Sequence, residues 1–155
     1  MSMTQSFGEN LRQGVFPVQL PYTFADPFTQ PFWDGLKEEK LVMQRCAKCG
    51  TFRMPPTAMC FKCQAEETEW VELAGTGVVY TFTVVRHPLH PGLAPVVPYV
   101  SGVVELDGTQ GAGARMLVNI IDCDPETIDL GDRVEIVYEH VNDEMTVARF
   151  KPIVG

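Results

Sequence analysis

The sequence contains no apolar run near the ~20 residues that a membrane-spanning helix needs, so we interpret it as a soluble globular chain. It also shows no basic stretch followed by an apolar core and a cleavage site. We therefore expect no secretory signal and a cytoplasmic protein with reduced thiols. Positive charge is in deficit, with 12 lysines and arginines against 20 acidic residues and a net charge of −8. This balance disfavours nucleic acid as a partner.

Pairs of residues suited to catalysis are also missing. His87 and His90 lie in a proline-rich stretch with no acid/base partner nearby in sequence, and Cys123 has no basic neighbour that would lower its pKa. Cys123 and Asp124 do not form a nucleophilic or acid/base grouping either. We expect solvated or docking-loop histidines, a packed cysteine and no enzymatic activity of the chain alone.

Four of the five cysteines form two C-x-x-C pairs, separated by ten residues. The candidate ligands are Cys46, Cys49, Cys60 and Cys63. Two residues between cysteines let a tight turn direct both sulfurs at one ion, and two such turns complete a tetrahedron. The spacing predicts a structural zinc site; two redox pairs or a disulfide are the alternatives. The second turn lacks the glycine that follows Cys49, so we expect two unequal turns, which favours zinc over iron.

Basic residues gather around these cysteines. Arg45, Lys48, Arg53 and Lys62 lie in the segment 45–63, which contains no acidic residue. Two interpretations remain open. The bases offset the negative charge of a four-thiolate centre, or they meet an anionic ligand.

The first 25 residues read as an extended arm, because prolines interrupt the apolar stretch Val15–Phe24. This arm is expected to lie against its own domain or against a partner, and the sequence does not choose between them. A helix is predicted from Asp26 or Thr29 to about residue 40. Its apolar stripe contains Phe28, Phe32, Trp33 and Leu36. We interpret these side chains as core packing, with docking on another subunit as the alternative.

Strand patterns occupy most of the remaining chain. Residues 41–45 and 69–73 flank the cysteine pairs as short strands, so residues 26–74 are predicted to form a helix and a zinc ribbon. Five further strands are predicted after residue 75, at 78–86, 99–107, 114–122, 133–141 and 145–153. Five strands with a helical or turn connection after the third predict an OB-fold barrel over residues 75–155. The fold class is thus mainly β.

The order of these motifs resembles a known family. PFWDGL is followed by LVMQRCAKCGTFRMPP, CFKC, a strand beginning GTGVVYTFTVV, PYVSGVVELDG and LGDRVEIVYE. This order, over residues 28–140, resembles the acyl-CoA-associated OB-fold proteins that carry an N-terminal rubredoxin-like zinc ribbon. The first 25 residues lie outside the resemblance.

The resemblance implies a non-catalytic subunit in a hetero-oligomer. By this resemblance the chain is expected to dock on a thiolase-like enzyme, an aldolase or thiolase of steroid or fatty-acid breakdown, and to help shape its CoA channel. Cys46, Cys49, Cys60 and Cys63 match the metal positions of the family, whereas no catalytic residue is carried over.

Two further expectations depend on surface chemistry. CoA phosphates are expected to meet basic side chains of the ribbon and the first barrel strand, namely Arg45, Arg53, Lys62 or Arg86. The alternative function is nucleic-acid binding by an OB fold, which would use Tyr80, Phe82 and Tyr99 as stacking aromatics.

Overall fold

The computed structural model describes residues 26–109 and 113–154; the predicted N-terminal arm lies outside them. Within these ranges the chain forms one α-helix, eight strands and a short 3₁₀-helix at Pro91–Val96. The elements are α1 (Gln30–Lys37), β1 (Leu41–Cys46), β2 (Phe52–Arg53), β3 (Thr68–Leu73), β4 (Thr76–Val85), β5 (Tyr99–Leu106), β6 (Arg115–Ile120), β7 (Arg133–His140) and β8 (Thr146–Pro152). No helix among the described residues has the length and apolar character needed to cross a membrane.

Helix α1 is shorter than the sequence predicts, ending at Lys37 rather than near residue 40. Glu39 adopts a left-handed conformation with φ 57°, which stops the helical path. The N–H of Glu39 donates to the carbonyl of Leu36, and the N–H of Lys40 donates to that of Gly35. This is the Schellman pattern of helix termination, here with glutamate in the position that glycine usually takes.

The apolar stripe of α1 packs inward as predicted. Phe32 and Leu36 are buried, and Trp33 packs against the same core with its ring edge-on to Phe32. Phe28 is the exception, because it precedes the helix and remains 50% exposed. The helix therefore contributes to the core, while its entrance leaves one aromatic ring on the surface.

The strands around the cysteine pairs form a small antiparallel sheet in the order β2-β1-β3. Strand β1 pairs with β3 along its whole length, from Leu41 opposite Leu73 to Cys46 opposite Thr68. Strand β2 adds only two residues, Phe52 and Arg53, on the other side. Both flanking strands predicted from the sequence are confirmed.

The remaining five strands close into a barrel in the order β4-β5-β6-β8-β7. Each lies within a few residues of its predicted range, and the mainly β fold class with an OB-type barrel is confirmed. The contact between β6 and β8 is parallel and consists of the pair Ile120 and Phe150, whereas the other strand pairs are antiparallel. The connection after β6 consists of turns around buried Ile128 and contains no helix.

The ribbon and the barrel share one apolar core. Buried Leu36, Leu41 and Met43 belong to the same cluster as Val79 and Phe150 of the barrel. The chain crosses between the two sheets at Gly75, where φ is 76° and a Cβ atom would lie 2.4 Å from the Ile136 side chain. Glycine is required there because a larger residue would force the sheets apart.

A charged contact ties three barrel strands together where the barrel closes. Strands β4 and β7 pair over only three residues, Thr76 to Val78. Beside them, Asp107 accepts hydrogen bonds from Thr76 Oγ1 at 2.5 Å and from Arg133 Nη1 at 2.9 Å. Hydrogen bonds from Arg133 and then from Thr76 lower the pKa of Asp107 to about 2. The carboxylate thus supports a short seam with few backbone hydrogen bonds.

We predict that Leu36→Ala lowers the free energy of unfolding by about 2–5 kcal/mol, because the fully buried side chain leaves a cavity in the shared core. Lys37→Ala, at the adjacent exposed position, is the matched control and should change it by about 0.5 kcal/mol or less. Urea unfolding measures both values. Equal stability of the two variants would contradict the shared core.

A second prediction concerns pH. Because the pKa of Asp107 is depressed from 3.8 to about 2 on folding, its stabilising contribution is present above pH 3.8 and is lost as the pH falls toward 2. Asp107→Asn should therefore lower the melting temperature at pH 7, and the difference from the parent should shrink at pH 2. Asp143→Asn, in an exposed turn, is the control. A difference independent of pH would refute the assignment.

Candidate metal centre

The two C-x-x-C turns have the same hydrogen-bond pattern. In the first, the N–H of Cys46 donates to Thr51 O and the N–H of Gly50 donates to Cys46 O. In the second, the N–H of Cys60 donates to Ala65 O and the N–H of Gln64 donates to Cys60 O. Gln64 takes a left-handed conformation with φ 60°, close to the 73° of Gly50. The expectation of unequal turns is therefore wrong, because glutamine adopts the conformation that glycine provides in the first turn.

These turns bring the four predicted cysteines together. Their Sγ atoms all lie within 4.8 Å of one another, with 3.5 Å between Cys46 and Cys63 and 3.6 Å between Cys49 and Cys60. A tetrahedral zinc ion with Zn–S bonds of ~2.3 Å requires sulfurs about 3.8 Å apart, which these distances approach. None of the five cysteines forms a disulfide. The four cysteines are positioned for metal binding, as the sequence predicts.

The surroundings lower the pKa of Cys49 and of Cys60, mainly through hydrogen bonds, but raise that of Cys63. Hydrogen bonds from the Thr51 side chain and backbone lower the pKa of Cys49 to about 6. At Cys63, the backbone hydrogen bond from Ala65 lowers the pKa, but burial and the neighbouring thiols together raise it to about 11. A cation would remove this conflict by stabilising all four thiolates together. Sequence reasoning did not single out Thr51, although it directly follows the first turn.

Arg53, one of the expected phosphate contacts, lies inside the ribbon and is 1% exposed. Its guanidinium donates to the carbonyl oxygens of Thr57 at 3.1 Å and Glu67 at 3.3 Å, and also to Thr68 Oγ1. Because these acceptors lie on either side of the second cysteine pair, Arg53 holds the loop that carries Cys60 and Cys63. Arg53 is therefore a buried structural residue and not the surface residue that the sequence predicts. An arginine in this stretch of sequence gives no local indication that it will be buried.

The structure does not gather the other expected phosphate contacts into one site. Arg45 pairs with Glu69 at 2.8 Å, Lys62 is exposed on the second turn, and Arg86 pairs with Glu126 beyond the end of β4. The first two belong to the ribbon and the third to the barrel.

The residues considered for catalysis occupy ordinary structural positions. His90 Nδ1 accepts a hydrogen bond from the N–H of Gly92 at 3.0 Å and so caps the 3₁₀-helix, while His87 is exposed. Burial, with the carboxylates of Asp122 and Asp124, raises the pKa of Cys123. Its thiol is therefore a poor nucleophile, in agreement with the interpretation as a packed side chain.

The aromatic side chains proposed for base stacking do not form a platform. Tyr99 is buried beneath the proline-rich loop, and Phe82 packs partly into the barrel core. Tyr80 is 50% exposed, but the guanidinium of Arg115 lies 3.7 Å from its ring centroid. This arrangement weakens the nucleic-acid alternative, which needs several free rings along a basic groove.

Comparison with protein families gives two adjoining matches. The family model described as the rubredoxin-like zinc ribbon domain of ChsH2 matches residues 33–69. The model described as the C-terminal OB-fold domain of ChsH2 matches residues 70–139. Together they extend from the middle of α1 through the metal loop and the barrel as far as β7.

Two curated relatives differ in length. A probable enoyl-CoA hydratase alpha subunit from Thermomonospora curvata is 38% identical over 79% of this chain, but the match covers only 37% of that protein. A DUF35 domain-containing scaffold protein from Methanocaldococcus jannaschii is 34% identical over 86% of this chain and 97% of its own length. The chain thus corresponds to part of the first protein and to nearly all of the second.

A solved structure is similar to this chain over most of its length. A chain of the structure described as "Ltp2-ChsH2(DUF35) aldolase" has a TM-score of 0.74 and 34% identity, over 86% of this chain and 100% of the matched chain. The similarity therefore extends over the whole of the matched chain. The chain belongs to the DUF35 family, whose ChsH2-type members join a rubredoxin-like zinc ribbon to a C-terminal OB-fold domain.

Proposed function

We propose that the chain is a non-catalytic accessory subunit that binds structural zinc, docks on a thiolase-like acyl-CoA enzyme and helps to form its CoA channel. The observation that carries this proposal is the similarity to a complete chain of the Ltp2-ChsH2(DUF35) aldolase. The relative described as an enoyl-CoA hydratase alpha subunit supports acyl-CoA as the substrate class. The chemistry then belongs to the partner, an aldolase or thiolase of steroid or fatty-acid breakdown in the cytoplasm.

Exposed apolar side chains support docking. Leu89 in the proline-rich loop is 80% exposed, and Phe61 on the second metal turn is 77% exposed. Large apolar side chains held in water are typical of surfaces that a partner covers. The loop at Leu89 is itself well supported, because Leu93, Val96 and Tyr99 form a small core beneath it. A supported loop presents its apolar tip at little cost in conformational entropy.

The basic residues that remain candidates for CoA phosphates are Arg45, Lys62 and Arg86. The ion pairs of Arg45 with Glu69 and of Arg86 with Glu126 are between partly exposed side chains and contribute little stability. A phosphate group can replace such a carboxylate, because an arginine forms bidentate hydrogen bonds with either. Arg53 is left out of this group because its guanidinium is buried and both of its terminal nitrogens are already bonded.

We predict that the chain forms a stable complex with a thiolase-like acyl-CoA enzyme and is needed for its full activity. Leu89→Asp should weaken the complex about tenfold, since a charge would enter an apolar contact. Leu89→Met, which keeps an apolar side chain at the same position, is the matched control and should bind normally. Affinity and acyl-CoA turnover by the partner, with and without this chain, measure the effect. A chain that stays monomeric and leaves the partner unaffected would disprove the function.

A further prediction concerns the metal. The purified chain should contain about one zinc ion, since four thiolates close a tetrahedral shell. Cys60→Ser should abolish zinc binding and lower the melting temperature, because the loop around the metal loses its closure. Cys123→Ser, at the one cysteine outside the cluster, is the control and should retain zinc. Unchanged metal content in Cys60→Ser would contradict the site.

A further inference from the structure

A groove opens between the start of α1 and the metal loop. Its volume is about 500 Å³. Nine residues line it: Pro27, Phe28, Pro31, Gln44, Thr57, Ala58, Glu66, Thr68 and Trp70. Among these described lining residues Glu66 alone is charged, so the groove suits an uncharged occupant. Its size lies within the ~300–1,000 Å³ range of pockets that bind ligands or side chains.

The groove is held open by hydrogen bonds on its own walls. Gln44 and Trp70 are neighbours across β1 and β3, and Gln44 Oε1 accepts from the N–H of Thr57 at 2.8 Å. Thr68 Oγ1 accepts from buried Arg53 and donates to Glu66 O. A site whose walls are already fixed loses little entropy when it binds an extended segment.

The chain enters the described structure at the rim of this groove. Asp26 Oδ1 accepts hydrogen bonds from the N–H groups of Phe28 and Thr29, both at 2.8 Å, and the N–H of Asp26 donates to Thr29 Oγ1. Pro27 and Phe28, the next residues, line the groove. The preceding 25 residues are therefore attached directly beside an open groove with both apolar and polar walls.

The sequence immediately before this point has matching chemistry. Residues 15–24, VFPVQLPYTF, carry no charge and contain Pro17 and Pro21. Proline favours the polyproline II conformation, in which ten residues span about 30 Å. Proline-containing segments of this kind dock in grooves lined by aromatic side chains, and here Phe28 and Trp70 provide such a lining.

We infer that apolar side chains of the segment 15–24 occupy this groove in the same chain. A tether of a few residues gives the segment a high effective concentration at the site, which a free peptide or a separate protein does not have. The short closing loop also costs little entropy. Docking covers Phe28 and Trp70, and it makes the N-terminal segment part of the ribbon surface.

Fluorescence of Trp70 in the isolated full-length chain tests this inference. Trp33→Phe leaves Trp70 as the one tryptophan, since the sequence has two. In this background, Leu20→Asp places a charge in the proposed occupant, and Gln5→Asp places the same charge outside it. We expect Leu20→Asp to shift Trp70 emission to longer wavelength and to increase acrylamide quenching, with Gln5→Asp unchanged. The same spectrum and quenching in all three proteins would overturn the proposal.

Photocrosslinking provides a second readout that does not depend on the fluorescence. A benzoylphenylalanine in place of Phe16 should crosslink within one chain to peptides that contain Gln44 or residues 57–70. Crosslinks only to the barrel, or only between two chains, would overturn the proposal. Because both experiments use the chain without its enzyme partner, a negative result leaves the proposed accessory function untouched.

Discussion

The close approach of four sulfur atoms is the constraint on which the ribbon depends. All four Sγ atoms lie within 4.8 Å of one another, at the ends of two tight turns that are linked by a loop with little regular structure. Four thiolates at this distance repel one another unless a cation lies between them. A metal that satisfies them also closes the loop, and β1 and β3 then meet in the register that brings Cys46 opposite Thr68. Arg53 also holds the second turn in place, because it donates hydrogen bonds to Thr57 O before Cys60 and to Glu67 O after Cys63.

Strand β1 and helix α1 connect the metal loop to the barrel, because both pack in the shared core. Strand β1 begins at Leu41 in the shared core and ends at Cys46 in the metal centre, six residues later. Helix α1 adds Phe32 and Leu36 to the same core, and its C-terminal side meets the barrel where Glu39 pairs with His140 at 3.0 Å. The turn with Phe61 adjoins the cysteine cluster, and the loop with Leu89 lies over a small apolar cluster of its own.

Local patterns predicted the helix, both ribbon strands and all five barrel strands, because alternation and turn residues are signals within a few positions. The prediction failed where a residue took an unusual conformation. Glu39 ends α1 early, and Gln64 completes a turn that glycine would normally complete. Non-glycine residues enter the left-handed region only when surrounding hydrogen bonds compensate for the strain, and those bonds are not visible in the sequence.

The sequence by itself determined which four cysteines come together and the order of the elements, since the spacing of Cys46, Cys49, Cys60 and Cys63 sets the two tight turns. Tertiary structure decided which polar and apolar residues are available to a partner. Arg53 became a buried link in the ribbon, while Arg45 and Arg86 formed exposed ion pairs. It also created the groove between α1 and the metal loop, whose residues lie as far apart in sequence as Pro27 and Trp70. Burial depends on which elements meet in space, and local sequence carries little information about those contacts.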